Sequence, residues 1–364
     1  MTSPTEGGTR RRALVVGTGL IGGSIALGLR RRGWHVSGLD ADEGRAREAH
    51  EHEAIDAVGD DLDAEVVFVA VPATSVARVV GDLLADPARR PDAVVTDVSG
   101  VKTAIVAAAD HPRFVGGHPM AGSEQIGLHG ADPELFEGAV WVLTPTAATD
   151  LESFDRLKGV VMSLGADVLV LSPEDHDRLV AVVSHVPHLV AATLMNAASA
   201  GAEQDGALLR LAAGGFRDMT RVAAGHPGIW PDICAENASA IVDALDALVG
   251  DLSAMRKRVA AQDRDGLLGV LEKASAARRN LPLRIARPER LAELRIRVPD
   301  RPGELAVITS VAAEEGIGIY DIEIAHSAEG TRGVLILVVD RADAATLTAA
   351  VESHGYRSRA EHLS

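Results

Sequence analysis

The sequence predicts three domains in series: a parallel α/β sheet domain over residues 1–171, an all-α domain over 172–289 and a small α+β domain over 290–364. Three observations predict this. Short apolar runs alternate with helix-like segments through the first half, the signature of a parallel sheet covered on both faces. After Ser172 the chain turns Ala- and Leu-rich with helical periodicity and no strand-like run. After Pro288 an order βαββα follows within about 70 residues. A chain of 364 residues is long enough to build several cores of this kind.

The strands of the first domain are expected at Ala13–Val16, His35–Leu39, Val66–Val71, Ala93–Val98, Phe114–Gly116, Val140–Leu143 and Val168–Leu171. Arg10 to Arg12 ahead of the uncharged run Ala13–Leu29 imitate an export signal. Four glycines interrupt that run before Gly28, no convincing cleavage site follows, and it is short for a membrane span, so it reads as the first strand and helix. Ser172-Pro173-Glu174-Asp175 opens the helical domain with Ser at the N-cap, Pro at the first helical position and acids in the first turn. Its apolar content exceeds what one small bundle can bury, which predicts a homodimer interface. In the third domain, Leu291–Val298, Ile317–Ala325 and Gly333–Val339 read as strands, and Pro302–Glu315 and Arg341–Gly355 as helices. The polar segment 356–364 leaves little for a final strand.

Composition is that of an ordinary soluble protein, with 47% hydrophobic and 24% charged residues. A formal charge of −16 repels phosphate backbones, which excludes nonspecific nucleic-acid binding. It equally repels anionic small molecules, so such a ligand needs local cationic groups. The lone Cys234 excludes an intrachain disulfide and a cysteine metal cluster, and suits a reducing cytoplasm.

Gly17-Thr18-Gly19-Leu20-Ile21-Gly22 follows the first strand and opens a helix, the context in which a GxGxxG motif cradles a dinucleotide pyrophosphate. Gly17 serves the tight turn, Gly19 the approach of the phosphates and Gly22 the packing of helix on strand. Asp40 lies 23 positions after Gly17, at the end of the second strand. A carboxylate there accepts from a ribose diol and repels a 2′-phosphate, so NAD is expected rather than NADP, with Arg45 the one opposing residue nearby. Pro72 and Thr74 follow the third strand, at the same edge of this Rossmann-type sheet.

Polar clusters fall after the later strands. Asp97-Val98-Ser99-Gly100-Val101-Lys102 ends one, and His118 sits in the Gly-rich stretch Gly116–Glu124 that ends the next. Ser184-His185-Val186-Pro187-His188 lies one helix on, where Pro187 should kink the helix. His185 and His188 share a face, as core histidines or as site residues; the further ligands that a metal requires are not evident. Gly214–Arg221 carries Arg217 and Arg221, and a guanidinium there can clamp a carboxylate. Trp230 follows as a core residue or the wall of a ring pocket.

The segments GxGLIGGS, GGHPMAGSE, SHVPHLVA and GGFRDMTR, in this order, resemble the prephenate and arogenate dehydrogenases from about Ala13 to Ile285. The resemblance implies a Rossmann domain with an interlocked helical dimerisation domain. It makes His118 the catalytic histidine and Arg221 the arginine that binds the substrate carboxylate. It also places Ser184, His188, Ser123 and Glu124 at the substrate, and Asp218 and Trp230 at positions contributed by a neighbouring subunit. Two departures stand out. Family members carry D-x-x-S-V-K, whereas here Ser99 and Gly100 have exchanged places, so Ser99 supplies the catalytic hydroxyl from a shifted loop or the hydroxyl is absent. Gln125 replaces a common lysine, which leaves prephenate and arogenate both open as substrate. The third domain resembles an ACT module, with Asp300, Pro302 and Gly303 in its ligand loop, and tyrosine is the effector this implies; a dimerisation role without ligand is the alternative.

The activity implied is transfer of a hydride from ring C4 to NAD with loss of the ring carboxylate, His118 accepting the hydroxyl proton. A β-hydroxyacid dehydrogenase would need a lysine motif in the helical domain that is not seen. An amino-acid-binding regulator with a vestigial Rossmann domain is opposed by the intact glycines, Asp40, His118 and Arg221.

Overall fold

A computed structural model describes residues 10–122, 125, 127–225, 227–279, 291–299, 301–326 and 332–362. Ser123, Glu124 and Asp300 lie outside the described residues. The chain begins β1 (Arg12–Val16), α1 (Leu20–Arg31), β2 (His35–Leu39), α2 (Glu43–Glu51), β3 (Ala57–Val58) and β4 (Val66–Val69). It continues α3 (Ala73–Ala85), β5 (Val94–Asp97), α4 (Thr103–Ala108), β6 (Phe114–Pro119), β7 (Val140–Thr144), α5 (Leu151–Ser163) and β8 (Asp167–Val170). These strands form one sheet in the order β3-β2-β1-β4-β5-β6-β7-β8. The first six positions follow the doubly wound dinucleotide-binding order.

The strands alternate between two cores. Ala13 and Val15 of β1 and Val66 and Phe68 of β4 pack with Ile25 and Leu29 of α1 and Leu157 and Val161 of α5. Their neighbours Leu14, Val67 and Val69 pack on the other face with Val76 and Val80 of α3 and Ile105 of α4. That two-sided burial explains why the strands read as unbroken apolar runs, each fully buried Val or Phe contributing roughly 1.5–3 kcal/mol. The run that imitated an export signal is β1 and α1, at the centre of this sheet. Two features depart from the predicted all-parallel pattern. The short β3 was not anticipated, and β7 runs antiparallel to β6, Gly116–Pro119 pairing with Trp141–Thr144.

The helical part comprises α6 (Pro173–Val180), α7 (Val186–Gln204), α8 (Gly214–Thr220), α9 (Trp230–Glu236), α10 (Ala238–Ala260) and α11 (Arg264–Arg279). Ser172 caps α6 by accepting from the Asp175 N–H, with Pro173 at the first position, as expected. Between α6 and α7 the backbone forms a π-helical turn over Ala181–His185, just before Pro187. Proline cannot donate to the preceding turn, and the chain absorbs the mismatch by widening it. The run Pro173–Glu203 is long and apolar enough by composition to cross a membrane, and Val182 and Val183 lie exposed on it, 57% and 67% accessible. Val249, Leu252, Val259, Leu268 and Leu271 are exposed likewise on α10 and α11.

The second sheet has the order β10-β11-β9-β12, all antiparallel, built from β9 (Leu291–Pro299), α12 (Glu304–Glu314), β10 (Ile319–His326), β11 (Arg332–Asp340), α13 (Ala344–Ser353) and β12 (Arg357–His362). The order is βαββαβ rather than βαββα. The polar 357–362 segment forms the edge strand β12, paired to β9 by backbone hydrogen bonds that need no apolar side chains. Leu294, Ile296, Leu335 and Leu337 pack under Ile308 of α12 and Leu347 of α13. By contacts the chain divides into two units, Met1–Ala197 with Thr220–Lys257, and Ala198–Met219 with Arg258–Ser364.

Candidate active site

Because β1, β4, β5 and β6 are parallel, the segments after all four emerge at one edge of the sheet. The predicted dinucleotide loop is built as its glycines require. Gly17 has φ +97°, and a Cβ there would stand 2.2 Å from the Ala70 carbonyl oxygen after β4. At Gly22 a Cβ would stand 1.8 Å from the Gly17 oxygen, so nothing larger fits between helix and strand. At Gly19, the N-cap of α1, a Cβ would meet no protein atom within 4 Å, which leaves the backbone open to a pyrophosphate at the helix N-terminus. Leu20 and Ile21 begin α1. Asp40 accepts from the Thr18 N–H at 2.9 Å and from the Asp42 N–H at 3.0 Å, and a carboxylate has further lone pairs for a ribose diol. Arg45 lies 3.8 Å from Asp42, an acid that counters its attraction for a 2′-phosphate. Pro72 caps α3, and Thr74 is exposed in its first turn.

At the ends of β5 and β6 stands a chain of hydrogen bonds. His118 Nδ1 is 2.8 Å from His176 Nε2, and His176 Nδ1 is 2.8 Å from Asp177 Oδ1. Asp177 in turn accepts from the backbone N–H groups of Lys102 and Thr103 at the start of α4, each at 2.8 Å. A carboxylate only accepts, so His176 carries its proton on Nδ1 and presents a bare Nε2. With one proton on each ring, His118 donates through Nδ1 and its Nε2 is left as a free acceptor. Among the described residues that nitrogen makes no hydrogen bond. A Cβ on Gly100 would find only His118 Cε1 and Nε2 within 4 Å, both at 3.8 Å.

Ser99 is engaged by its own neighbours in the loop after β5. Its hydroxyl donates toward Asp97 and the Val101 carbonyl and accepts from Lys102 Nζ at 3.0 Å, so it braces the buried Lys102–Asp97 ion pair. The position nearest the His118 ring edge is thus taken by Gly100, which carries no hydroxyl. Asp97 also accepts from the Gly117 N–H at 3.1 Å, which ties this pair to the strand that carries His118.

On the helical side, Asn237 Nδ2 bonds the Asp177 carbonyl at 2.8 Å and His185 Nδ1 at 3.2 Å. His188 stacks on Trp230 with centroids 3.6 Å apart, and His185 meets the same indole edge-on at 6.2 Å. A Cβ on Gly225, which closes the turn Arg221–Ala224, would lie 3.8 Å from His188 Cε1. A continuous set of contacts thus runs from His118 to the turn that begins with Arg221. Trp230 thus stacks on His188 of its own chain. Arg221 is exposed, Ser184 is half-buried in the π-turn, and Asp218 is exposed on α8 in the second unit.

Burial, together with the nearby Lys102 ammonium, holds the His118 ring well below the ordinary histidine pKa, so it is neutral at physiological pH. Asp177 lies below the usual carboxylate range: burial opposes this, but hydrogen bonds from His176, Thr103 and Lys102 outweigh it. Burial pushes His185 down to about 4. An unfolded chain takes up that proton near pH 6.5. Stability therefore falls as pH drops from about 6.5 to about 4, by roughly 3 kcal/mol from this group. Thermal melts at neutral pH and at pH near 4.5 should show His185→Gln, which keeps a bond to Asn237, losing less stability on acidification than the wild type.

The comparisons with known proteins fit this geometry. Residues 25–170 match the family description "Prephenate dehydrogenase, nucleotide-binding domain", and residues 172–273 match "Prephenate dehydrogenase, dimerization domain". A prephenate dehydrogenase of Bacillus subtilis is 35% identical over 88% of this chain and 90% of its own. The chain belongs to the prephenate dehydrogenase family. Among solved structures, Synechocystis arogenate dehydrogenase aligns with a TM-score of 0.65 at 35% identity, covering 73% of this chain and 98% of its own. A prephenate dehydrogenase from A. aeolicus, in complex with hydroxyphenyl propionate and NAD+, aligns with a TM-score of 0.69 at 30% identity over 75% of this chain and 99% of its own. Within this prephenate dehydrogenase framework, sequence reasoning missed His176, Asp177 and Asn237. Adjacent His176 and Asp177 just after the Ser172 cap were the available signal.

Proposed function

We propose that the chain is an NAD-dependent prephenate dehydrogenase, which oxidises and decarboxylates prephenate to 4-hydroxyphenylpyruvate in tyrosine biosynthesis. The observation that carries this reading is the His118–His176–Asp177 chain at the edge of the sheet where Gly17, Gly19 and Gly22 shape a dinucleotide site. NAD, when bound, supplies the acceptor for the hydride that leaves ring C4. His118 Nε2 takes the 4-hydroxyl proton as that bond breaks, the ring carboxylate departs as CO₂, and the proton returns to the phenol oxygen as the ring becomes aromatic. Lys102 and Asp97 neutralise one another beneath this site, and their pairing leaves His118 as the base. Arg221 anchors a substrate carboxylate, and His188, stacked on Trp230, lines the ring pocket with Ser184, Ser123 and Glu124, while Asp218 and Trp230 are positions that a neighbouring subunit contributes.

Asp40 and Pro72–Thr74 hold the adenosine side of NAD. The exposed apolar surface of α7, α10 and α11 supports pairing with a second copy, and the same pairing accounts for the membrane-like composition of 173–203. The domains divide at 171/172 and 289/290, and the enzyme is cytoplasmic. The βαββαβ topology and the left-handed Gly303, φ +96° at the N-cap of α12, support an ACT-like module with tyrosine bound near Asp300, Pro302 and Gly303.

The test is NADH formation with prephenate and with arogenate. The reading expects turnover with prephenate; NAD binding without turnover on either substrate would return the chain to the regulator class. In the same assay Arg221→Ala should raise KM roughly 10- to 100-fold with kcat little changed, since it removes about 1.5–3 kcal/mol of charge-assisted binding. A collapse of kcat alone would show that Arg221 is not the anchor.

A further inference from the structure

The four-stranded sheet carries a cleft that the proposed reaction does not use. It encloses about 710 Å³ between the end of β9, the entry to α12 and the turn from α13 to β12. Its charged lining is Arg297, Arg301, Arg357, His354 and Glu304, with Tyr356 as an aromatic wall. The strand register makes this lining unusual. Arg297 lies directly opposite Arg357 across the β9–β12 pair, and Arg295 lies opposite Arg359. All four share the outer face, because Leu294 and Ile296 turn into the core.

Like charges directly opposite one another destabilise a strand pair. A chain with a formal charge of −16 has many acids to place there. Among the described residues the one acid of the lining is already held: Glu304 accepts from the Tyr356 hydroxyl at 2.6 Å and lies 3.6 Å from Arg301. Among the described residues, no carboxylate forms an ion pair with Arg297 or Arg357. Two opposed guanidiniums at the mouth of a cleft match the spread oxygens of an anion, to which each can donate in a fork.

We propose that this cleft binds a small organic dianion, gripped between Arg297 and Arg357 and closed on its far side by Arg301. The ligand class differs from the amino-acid effector assigned to the neighbouring loop, whose ammonium group a cationic wall repels. The proposal stands without that assignment.

The test uses the full chain saturated with NAD, so that the dinucleotide crevice does not take up the probe. Inorganic pyrophosphate and malonate are titrated calorimetrically at low salt. Binding of pyrophosphate alone marks a phosphate-bearing ligand, and binding of malonate alone a dicarboxylate. In either case the Arg297→Ala/Arg357→Ala double variant should bind about tenfold more weakly or worse, Arg221→Ala should bind as the wild type does, and added salt should weaken binding. Without probe the double variant should melt no lower than the wild type, since a repulsive pair has gone, and should keep its NADH formation. If it fails to fold, Arg357→Thr alone gives the same comparison. Tyrosine titrated into the same proteins reports on the loop site separately. Equal affinity of wild type and variant for the probe, or no binding of either probe to the wild type at millimolar concentration, overturns the proposal.

Discussion

His118→Asn should leave prephenate and NAD bound while lowering kcat by roughly 10²–10⁴-fold, the usual size of a general-base contribution. The asparagine amide can still meet His176, so the local frame persists, but no basic lone pair faces the substrate hydroxyl. Prephenate and NAD affinities measured on the variant separate this outcome from misfolding. The wild-type pH profile carries the complementary sign. Burial and the nearby Lys102 ammonium lower the His118 pKa, so kcat/KM should hold as pH falls through 6.5 and decline only well below it. A decline that begins above 6.5 would mean that the base is another group.

The second large effect belongs to His176, which touches neither substrate nor cofactor and acts by positioning His118. His176→Leu removes the acceptor for His118 Nδ1–H and frees that ring to shift its proton to Nε2, the wrong nitrogen. The expected loss in kcat is on the order of 10²-fold with KM little altered, in line with other sites where a tautomer-fixing partner is removed. His176→Gln should recover most of it, because its amide oxygen can sit near the position of Nε2 and accept the same proton. The His176→Leu variant should also hold its residual activity to lower pH than the wild type, since a neutral acceptor that favours the charged His118 ring has been replaced by an apolar group. A purely structural role for His176 predicts that Leu and Gln behave alike and that the pH profile does not move.

Much of this was legible in the sequence because local rules and global fold agree. The apolar runs became strands because each is buried on both faces, and the glycine spacing became a phosphate loop because Gly17 and Gly22 have no room for a side chain. The reversal of β7 was hidden, since strand direction is set by the connection and leaves no mark on an apolar run. Strand β12 was hidden for the opposite reason: an edge strand is held by its backbone, and its side chains remain those of a surface. Motif spacing identified His118. It could not identify His176, which lies 58 residues further on and reaches His118 only through folding. Nor could it show where the Ser99 hydroxyl goes, which depended on the competing demand of the buried Lys102–Asp97 pair.

Nitrogen-15 spectra of the imidazoles in the NAD-bound protein test the central claim most directly. At neutral pH the His118 ring should carry its proton on Nδ1 with Nε2 bare, and it should become charged only well below pH 6.5. A proton on Nε2 at neutral pH, or a charged ring there, would contradict the assignment of His118 as the base that receives the substrate's hydroxyl proton.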